Sequence, residues 1–408
     1  MTDLPVTFDD VQRAAAEIGD HVVHTPTVPA SALTDLAPEA LFLKLENLQP
    51  TASFKVRGAC NRLAALTNDE RKRGVIALSA GNHAQGVAYH ARRLGVPATI
   101  VMPRFTPFNK VAKTEAMGAE VVLIGDNLDD AQGYVAERVA KDGLVLVHPF
   151  DDPLIVAGQG TVALEMLADV PDLDMLVVPI GGGGLIGGIA IAAKALKPDI
   201  TIIGAEAALY PSMGDALAGR EAHYEGATIA DGIAVKRPGD LNRQIAAALV
   251  DDVLQVEEVD FERAVNRLLA DQKLMVEGAG AAGIAAIMTR PDLFEGARVG
   301  TVLCGGNIDP RVLSSVLMRG LARKGQMVRL RIGILDAPGA LGRITGVIGE
   351  SGGNIIDVYH LRLLSDLPIK RAEIDVIVET RDLPHVQRIV EALNNAGFEA
   401  RLQTSVSG

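Results

Sequence analysis

Short apolar runs rich in β-branched residues alternate with amphipathic helical segments along most of the chain. The runs occupy residues 75–78, 98–102, 120–124, 144–147, 175–178, 200–203 and 299–303. Segments 84–94 and 260–269 have the spacing of helices that connect strands. Near-continuous apolar strands of this kind are typical of parallel sheets that helices cover on both faces. The pattern therefore predicts an α/β region from about residue 8 to residue 320.

The pattern changes near Gly320, where residues 321–326 form a charged, glycine-bearing connector. After it, the predicted order is strand 328–335, helix 341–350, strands 354–364 and 371–380, helix 383–395 and strand 398–403. This βαββαβ order is the split-βαβ plan of a small α+β domain. We therefore predict a large domain at 1–320, a linker at 321–326 and a small domain at 327–408.

The two halves of the large domain carry different candidate motifs. Motifs around Lys55 and Asn82 lie in the first half, and a glycine run that begins at Gly181 lies in the second. In open parallel sheets, ligands bind at the carboxyl ends of the strands. We therefore expect two lobes with the functional site between them.

Composition narrows the class of protein. The chain has 408 residues, 48% of them apolar and 22% charged, as expected of a globular protein with two or three domains. A net charge of -12, few aromatic residues and no tryptophan argue against nucleic acid or an anionic membrane as a partner. Cys60 and Cys304 are too few for a disulfide framework or a zinc site, so a reducing cytoplasm is the expected location.

Neither a secretory signal nor a membrane span is predicted. Residues 1–5 start no apolar run, so they do not resemble a signal peptide. Residues 175–193 form a charge-free stretch of nineteen residues, but this stretch contains six glycines and Pro179. Such a composition predicts a buried strand, a loop and a buried helix rather than one continuous helix.

Residues 181–184 are four consecutive glycines at a predicted strand-to-helix junction, ahead of Leu185. Such a loop lets the backbone approach a phosphate while its amides and the helix N-terminus point at the anion. We therefore predict a phosphate site. Residues 182–187 also satisfy the dinucleotide pattern G-x-G-x-x-G, and Glu206 ends the next strand near the spacing of a ribose-binding acid. This segment alone leaves NAD open as the ligand.

Lys55 lies between Phe54 and Val56 at a predicted turn into a helix. Desolvation there would lower the pKa of its amine and raise its nucleophilicity, as covalent catalysis through a lysine requires. The alternative is a surface lysine with a buried stem. The neighbouring motifs favour the functional interpretation.

Residues 79–83, with the sequence Ser-Ala-Gly-Asn-His, follow the predicted strand 75–78 and precede the predicted helix 84–94. Turn amides at the start of a helix suit a carboxylate, and Asn82 can donate to a phenolate-like oxygen. The alternative is a capped turn with a structural asparagine. Two further candidates are Cys304, at the end of a strand, and Glu277, which either caps a helix or serves the site.

The motifs at 53–55, 79–86, 181–185 and 304–307 occur in an order that resembles the fold-type II pyridoxal-phosphate (PLP) enzymes. The resemblance covers nearly the whole chain and extends to the threonine/serine ammonia-lyases with one C-terminal ACT-like domain. In the tail, residues 337–341 match the first turn of ACT domains. The implied fold is a two-lobed α/β catalytic domain of parallel sheets wrapped by helices, followed by an α+β ACT-like regulatory domain.

By that resemblance, Lys55 is the catalytic residue and carries PLP covalently, and Asn82 binds the 3-hydroxyl of the ring. Cys304 faces the ring nitrogen, where many relatives have serine; a neutral thiol there weakens the electron sink and favours β-elimination. The implied cofactor-binding residues are Lys55, Phe54, Asn82, Gly181, Gly182, Gly183, Gly184, Leu185, Glu277 and Cys304. The implied substrate-binding residues are Ser79, Ala80, Gly81 and His83.

The implied reaction is deamination of L-threonine to 2-oxobutanoate and ammonia, and of L-serine to pyruvate and ammonia. The freed amine of Lys55 removes the α-proton, and the β-hydroxyl leaves as water. No metal is expected, because residues 207–212 follow Glu206 without the second carboxylate of metal-dependent relatives. We expect an amino-acid effector at the ACT-like domain and a homodimer or homotetramer as the assembly.

Several alternatives stay open at this point. A serine racemase shares the scaffold but carries a serine as its second acid–base group where Ala80 stands, and a 3-hydroxyaspartate dehydratase differs only in substrate. A β-replacement synthase would leave the ACT-like tail unexplained. An NAD-dependent oxidoreductase would explain the glycine run and Glu206 but not Lys55. A pure amino-acid sensor would explain the tail alone.

Overall fold

The structure is a computed structural model that describes residues 4–36, 39–221, 223–361 and 370–403. The chain forms two compact units, Met1–Ile308 and Asp309–Gly408. A helix at Pro310–Arg323 runs across residue 320, where the sequence suggested a boundary. The domain limits 1–320, 321–326 and 327–408 therefore stay a prediction.

Two sheets organise the first unit, and we call the residues around the smaller and the larger sheet the smaller and the larger lobe. Its strands are β1 (Thr27–Pro29), β2 (Ala40–Lys44), β3 (Val75–Leu78), β4 (Ala98–Met102), β5 (Glu120–Leu123), β6 (Val145–Leu146), β7 (Met175–Pro179), β8 (Thr201–Ala207), β9 (Asp252–Val256) and β10 (Arg298–Val302). The smaller sheet is parallel and has the order β5-β4-β3-β6. The larger has the order β1-β2-β10-β7-β8-β9, in which β1 alone among the described strands is antiparallel. The predicted α/β class with parallel sheets is confirmed.

Helices surround both sheets. Those of the first unit are α1 (Phe8–Ile18), α2 (Lys55–Ala64), α3 (Asn68–Arg73), α4 (Asn82–Leu94), α5 (Phe108–Ala116), α6 (Leu128–Asp142), α7 (Pro153–Asp169), α8 (Gly184–Leu196), α9 (Ser212–Leu217), α10 (Asp240–Leu249), α11 (Glu258–Ala270) and α12 (Ala282–Thr289). Helix α7 begins sharply because Asp152 accepts hydrogen bonds from the first-turn amides and Pro153 needs no amide partner.

The predicted strands are present; β3 and β4 have the predicted ends, and the others differ by one or more residues. Strand β6 is shorter than the predicted 144–147, since its ladder with β3 pairs only two residues. Strand β8 is longer than the predicted 200–203, because β7 and β9 pair with it on both sides. The charge-free stretch 175–193 is strand β7, a loop and part of α8, as predicted. Among the described residues, no helix has the length and apolarity needed to cross a membrane.

Helix α7 brings the two candidate motifs together, because glycines let α2 and α8 approach its backbone closely. A Cβ built on Gly158 would lie 2.7 Å from the Cα of Gly58 in α2. One built on Gly188 in α8 would lie 2.3 Å from the carbonyl oxygen of Val156. The helix that starts at Lys55 and the helix that follows the glycine run therefore pack on one scaffold.

A buried ion cluster anchors α2 near its start. The guanidinium of Arg57 donates to the carboxylate of Glu46 at 2.7 and 2.8 Å and to that of Glu165 at 2.6 and 2.7 Å. The amine of Lys44 lies 2.6 Å from Glu165. Burial alone would raise the pKa of Glu46, but the Arg57 guanidinium holds it below its ordinary value. The cluster fixes the turn of α2 that carries Lys55.

The second unit is a four-stranded antiparallel sheet with helices. After α13 (Pro310–Arg323), its elements are β11 (Met327–Leu335), α14 (Ala340–Glu350), β12 (Asn354–Leu361), β13 (Arg371–Glu379), α15 (Leu383–Asn395) and β14 (Glu399–Leu402). The sheet order is β12-β13-β11-β14, and α14 and α15 share a core with it. The predicted βαββαβ order is confirmed; the predicted strand residues 362–364 lie outside the described residues.

Candidate active site

Lys55 is the first residue of α2, and its amine lies inside the unit. A hydrogen bond to the segment after β10 stabilises the turn before Lys55: the amide of Phe54 donates to the carbonyl of Cys304 at 3.1 Å. The Nζ of Lys55 donates to the carbonyl oxygen of Pro149 at 2.7 Å. Burial lowers the pKa of this amine to about 8, although the nearby carboxylate of Glu277 acts in the opposite direction. About one tenth of the amine is therefore neutral and nucleophilic at pH 7, far more than for an exposed lysine.

Asn82, the first residue of α4, is held by two side chains from the larger lobe. Its Nδ2 donates to Oε1 of Glu277 at 2.6 Å, and its Oδ1 accepts from Nδ2 of Asn307 at 2.8 Å. Burial, with the nearby charge of Asp231, raises the pKa of Glu277 to about 7. The amide of Asn82 therefore has one defined orientation, with its second Nδ2 hydrogen left to donate.

Cys304 lies two residues after the end of β10 and is buried. Its thiol donates to the carbonyl oxygen of Ala279 at 3.4 Å. Burial and the carboxylate of Glu277 raise the pKa of the thiol far above its ordinary value. Cys304 therefore stays an uncharged thiol.

The glycine run follows β7 and leads into α8. A Cβ at Gly182 would lie 2.2 Å from the ring of Phe150, and one at Gly183 would lie 2.7 Å from both Met213 and Asn242. Gly183 also has φ of +93°, in the left-handed region that favours glycine. Only glycine fits at both positions, so the backbone amides at the start of α8 are the groups that the loop offers to a ligand.

The turn at residues 79–83 makes both polar and apolar contacts. The amide of Gly81 donates to Oγ of Ser79 at 3.2 Å, and the methyl group of Ala80 packs on the core of the smaller lobe. The Nε2 of His83 donates to the carbonyl of Val147 at 2.9 Å. Burial and the charge of Lys55 lower the pKa of His83 to about 3, so the ring is neutral. His83 is therefore poorly suited to proton transfer.

The carboxylate of Glu206 binds protein amides and is therefore not free to bind a ribose. Its carboxylate accepts hydrogen bonds from the amides of Met213 at 3.0 Å and Gly214 at 3.1 Å, at the start of α9. Burial raises its pKa to about 7. The carboxylate that the dinucleotide pattern would assign to a ribose hydroxyl is thus bonded to protein amides.

Several residues at the site were missed from the sequence. Pro149 accepts from Lys55, and Phe150 covers Gly182. Asn307, which lies in the motif at 304–307 but was given no role, orients Asn82, and Asn242 of α10 donates to the carbonyl of Gly182 at 2.9 Å. Residues 148–152 follow β6, and this position at the carboxyl end of a parallel strand is the signal that could have found them.

Residues 18–305 match the sequence profile of the family described as pyridoxal-phosphate dependent enzyme. The chain belongs to this family. Residues 328–398 match the ACT domain. Membership rules out the NAD-dependent alternative and that of a pure sensor, and it makes PLP the cofactor to be tested against the geometry.

The family includes relatives similar to this enzyme over most of its length. An L-threonine ammonia-lyase of Thermotoga maritima is 43% identical over 97% of this chain and 99% of its own. A solved structure of threonine deaminase isoform 2 from Solanum lycopersicum has a TM-score of 0.71 and 33% identity, covering 76% of this chain and 87% of its own. A serine racemase from Dictyostelium discoideum has a TM-score of 0.70, with 33% identity over 74% of this chain and 99% of its own.

The residues fit PLP. Within the described ranges, the buried atoms Oγ of Ser53, Nδ1 of His83 and Oδ1 of Asn242 have no hydrogen-bond partner. Buried polar atoms are normally paired, so these atoms are consistent with a ligand that brings polar groups of its own. A nucleophilic amine at Lys55 and open amides at the glycine run are the two anchors that such a cofactor needs.

Proposed function

We propose that this enzyme deaminates L-threonine to 2-oxobutanoate and ammonia, and L-serine to pyruvate and ammonia. The observation that carries the proposal is the half-buried amine of Lys55, which donates to the carbonyl of Pro149 and has its pKa lowered to about 8. The relatives named as threonine ammonia-lyase and threonine deaminase support the choice of reaction.

PLP, when bound, supplies a sink for the electrons released at the substrate α-carbon. Lys55 would hold the cofactor through its Nζ, and the same Nζ would take the α-proton from the substrate. The hydrogen bond from Nζ to the carbonyl of Pro149 orients the amine for this transfer. A pKa near the operating pH suits a group that must both release and accept a proton.

The remaining predicted residues would bind and orient the cofactor and the substrate. The amides at residues 181–185 would bind the phosphate, and Asn82 would donate to the 3-hydroxyl from the orientation set by Glu277 and Asn307. Cys304 would lie beside the ring nitrogen, where its uncharged thiol would not keep that nitrogen protonated. Amides in the turn 79–83, at the start of α4, bind the substrate carboxylate.

Position 80 separates deamination from racemisation. Racemisation needs an acid–base group on the face opposite Lys55, and the methyl group of Ala80 has no proton to give. Incubation with L-serine in deuterated water should therefore yield pyruvate and little D-serine. D-serine accumulating as fast as pyruvate would refute the proposal in favour of a racemase.

The substrate preference is tested by direct comparison. The 2-oxo acid formed from L-threonine, L-serine and L-threo-3-hydroxyaspartate is followed with each substrate at equal concentration. We expect the highest kcat/KM with L-threonine. A higher value with 3-hydroxyaspartate would make the enzyme a 3-hydroxyaspartate dehydratase on the same scaffold.

We also propose that the ACT unit binds an amino-acid effector, that the chain forms a homodimer or homotetramer, and that it acts in the cytoplasm. The start of α14 supports effector binding, because Gly339 adopts φ of +83° directly before the helix and the N-terminus of a helix attracts a carboxylate. The two unpaired, buried thiols support a reducing compartment. A titration of full-length protein with isoleucine and valine, followed by substrate affinity, tests the effector.

A further inference from the structure

Two distant segments, residues 149–151 and 239–242, meet beside the glycine run, and together they form what we call the loop bracket. The Nδ2 of Asn242 donates to the carbonyl oxygens of Phe150 at 3.0 Å and Gly182 at 2.9 Å. The amide of Gly239 donates to the same carbonyl of Gly182 at 3.0 Å. One carbonyl of the glycine run is therefore held by two donors.

The bracket is itself fixed from the other side. The carboxylate of Asp151 accepts from the amides of Asp240 at 3.2 Å and Leu241 at 3.1 Å, at the start of α10. The side chain of Asn242 is fully buried, and a Cβ built on Gly239 would lie 2.3 Å from Oδ1 of Asp151. The bracket therefore has no room for an alternative arrangement of α10 against residues 149–151.

Holding the carbonyl of Gly182 has a direct consequence for the next amide. A trans peptide is planar, and its carbonyl and N–H groups point in opposite directions. With the Gly182 carbonyl directed at Asn242, the N–H of Gly183 is directed away from the bracket. This N–H is one of the amides that the proposed function assigns to the phosphate.

We propose that Asn242 is a positioning residue for the cofactor, which acts through the carbonyl of Gly182 to aim the amide of Gly183 at the phosphate. The inference rests on the proposed function. The bracket also links the two anchors of the cofactor, because Pro149, which accepts from Lys55, is adjacent in the chain to Phe150. Asn242 thus fixes the position of the glycine run relative to Lys55.

The test compares PLP affinity in full-length variants. The dissociation constant of PLP is measured with protein from which PLP has been removed. PLP is titrated back, and the visible absorption band of the lysine-bound cofactor is recorded. Asn242→Ala should raise this constant about tenfold, the equivalent of about 1.4 kcal/mol. Asn242→Asp should raise it further, because its carboxylate would face two carbonyls and lie beside the phosphate loop. At saturating PLP, kcat should change less than the dissociation constant.

Control variants distinguish a loss of cofactor positioning from a general effect of removing a buried side chain. Asn266→Ala removes another buried asparagine, on α11 of the same lobe and outside the bracket, and should leave the PLP dissociation constant within about twofold of wild type. Asp151→Ala, which releases the start of α10, should also weaken PLP binding. Asp151→Asn keeps an acceptor for the α10 amides and should recover most of the affinity. These two variants carry the test if Asn242 variants fail to fold.

The outcomes are distinct. Wild-type PLP affinity in both Asn242 variants would overturn the inference while leaving the proposed function intact. If the Asn242 variants do not fold, equal affinity in wild type, Asp151→Ala and Asp151→Asn would overturn it in the same way. Wild-type protein that neither binds PLP nor deaminates L-threonine would instead overturn the proposed function.

Discussion

Replacing Arg57 by methionine should strongly destabilise the first unit. The side chains of Arg57 and Glu46 are fully buried, and that of Glu165 is only 16% exposed. Methionine fills a similar space but leaves two carboxylates with Lys44, 2.6 Å from Glu165, as their nearby cation. Removing one partner from a buried ion cluster costs roughly 3–5 kcal/mol, because an uncompensated charge stays in a low-dielectric interior.

The loss of unfolding free energy in Arg57→Met should depend on pH. In wild type the lowered pKa of Glu46 contributes stability that is present above its ordinary pKa and is lost as the pH falls through the folded value. In the variant the buried carboxylate has lost its main partner and can relieve the penalty only by taking up a proton. The difference between the two proteins should therefore be largest near pH 8 and should shrink toward pH 5.

Thermal unfolding followed by circular dichroism at both pH values measures this difference. For a unit of this size each kcal/mol corresponds to roughly 2 °C, so a decrease of about 5–10 °C is expected at pH 8. Arg57→Met combined with Glu46→Gln should recover part of it. The exposed pair of Lys72 and Asp69 supplies the control, since Lys72→Met should cost less than about 1 kcal/mol. A loss for Arg57→Met as small as that control, or equal at both pH values, would refute the reasoning.

Three further predictions concern the site and the ACT unit. Cys304→Ser should keep most deaminase activity, whereas Cys304→Asp should protonate the ring nitrogen and divert product toward racemisation or transamination; an unchanged product ratio in the aspartate variant would contradict this. The raised pKa of Glu277 imposes a penalty that grows from about pH 4.5 to about pH 7, so Glu277→Gln should raise the unfolding temperature more at pH 8 than at pH 5, and equal shifts would count against it. Gly339→Ala, at φ of +83°, should weaken the response of substrate affinity to isoleucine or valine, while Gly346→Ala on α14 should keep it; equal responses would count against the effector site.

Residues with a local sequence signature could be predicted. Lys55 and Asn82 each follow a recognisable turn and begin a helix, and the glycine run follows an apolar strand, so each position could be identified from a few neighbours. The parallel strands were equally visible, since strands covered on both faces are apolar throughout.

Residues that depend on distant contacts could not be predicted. Asn242 is 92 residues from Phe150 and 60 from Gly182, and no local pattern marks an asparagine that bridges two carbonyls. Glu206 shows the opposite problem: its spacing satisfied a dinucleotide pattern, yet its carboxylate accepts two amides of α9. A spacing rule records positions along the chain but not which donors the fold brings to a side chain.

The central claim is that Lys55 is the nucleophile that carries PLP, and the most direct test is Lys55→Ala. The measurement pairs deamination of L-threonine with the visible absorption of protein saturated with PLP, and Lys72→Ala on the exposed face of α3 serves as the control. We predict that Lys55→Ala abolishes turnover and the lysine-bound absorption band while the circular dichroism spectrum is unchanged, and that the control keeps both. Wild-type deamination by folded Lys55→Ala protein would contradict the claim.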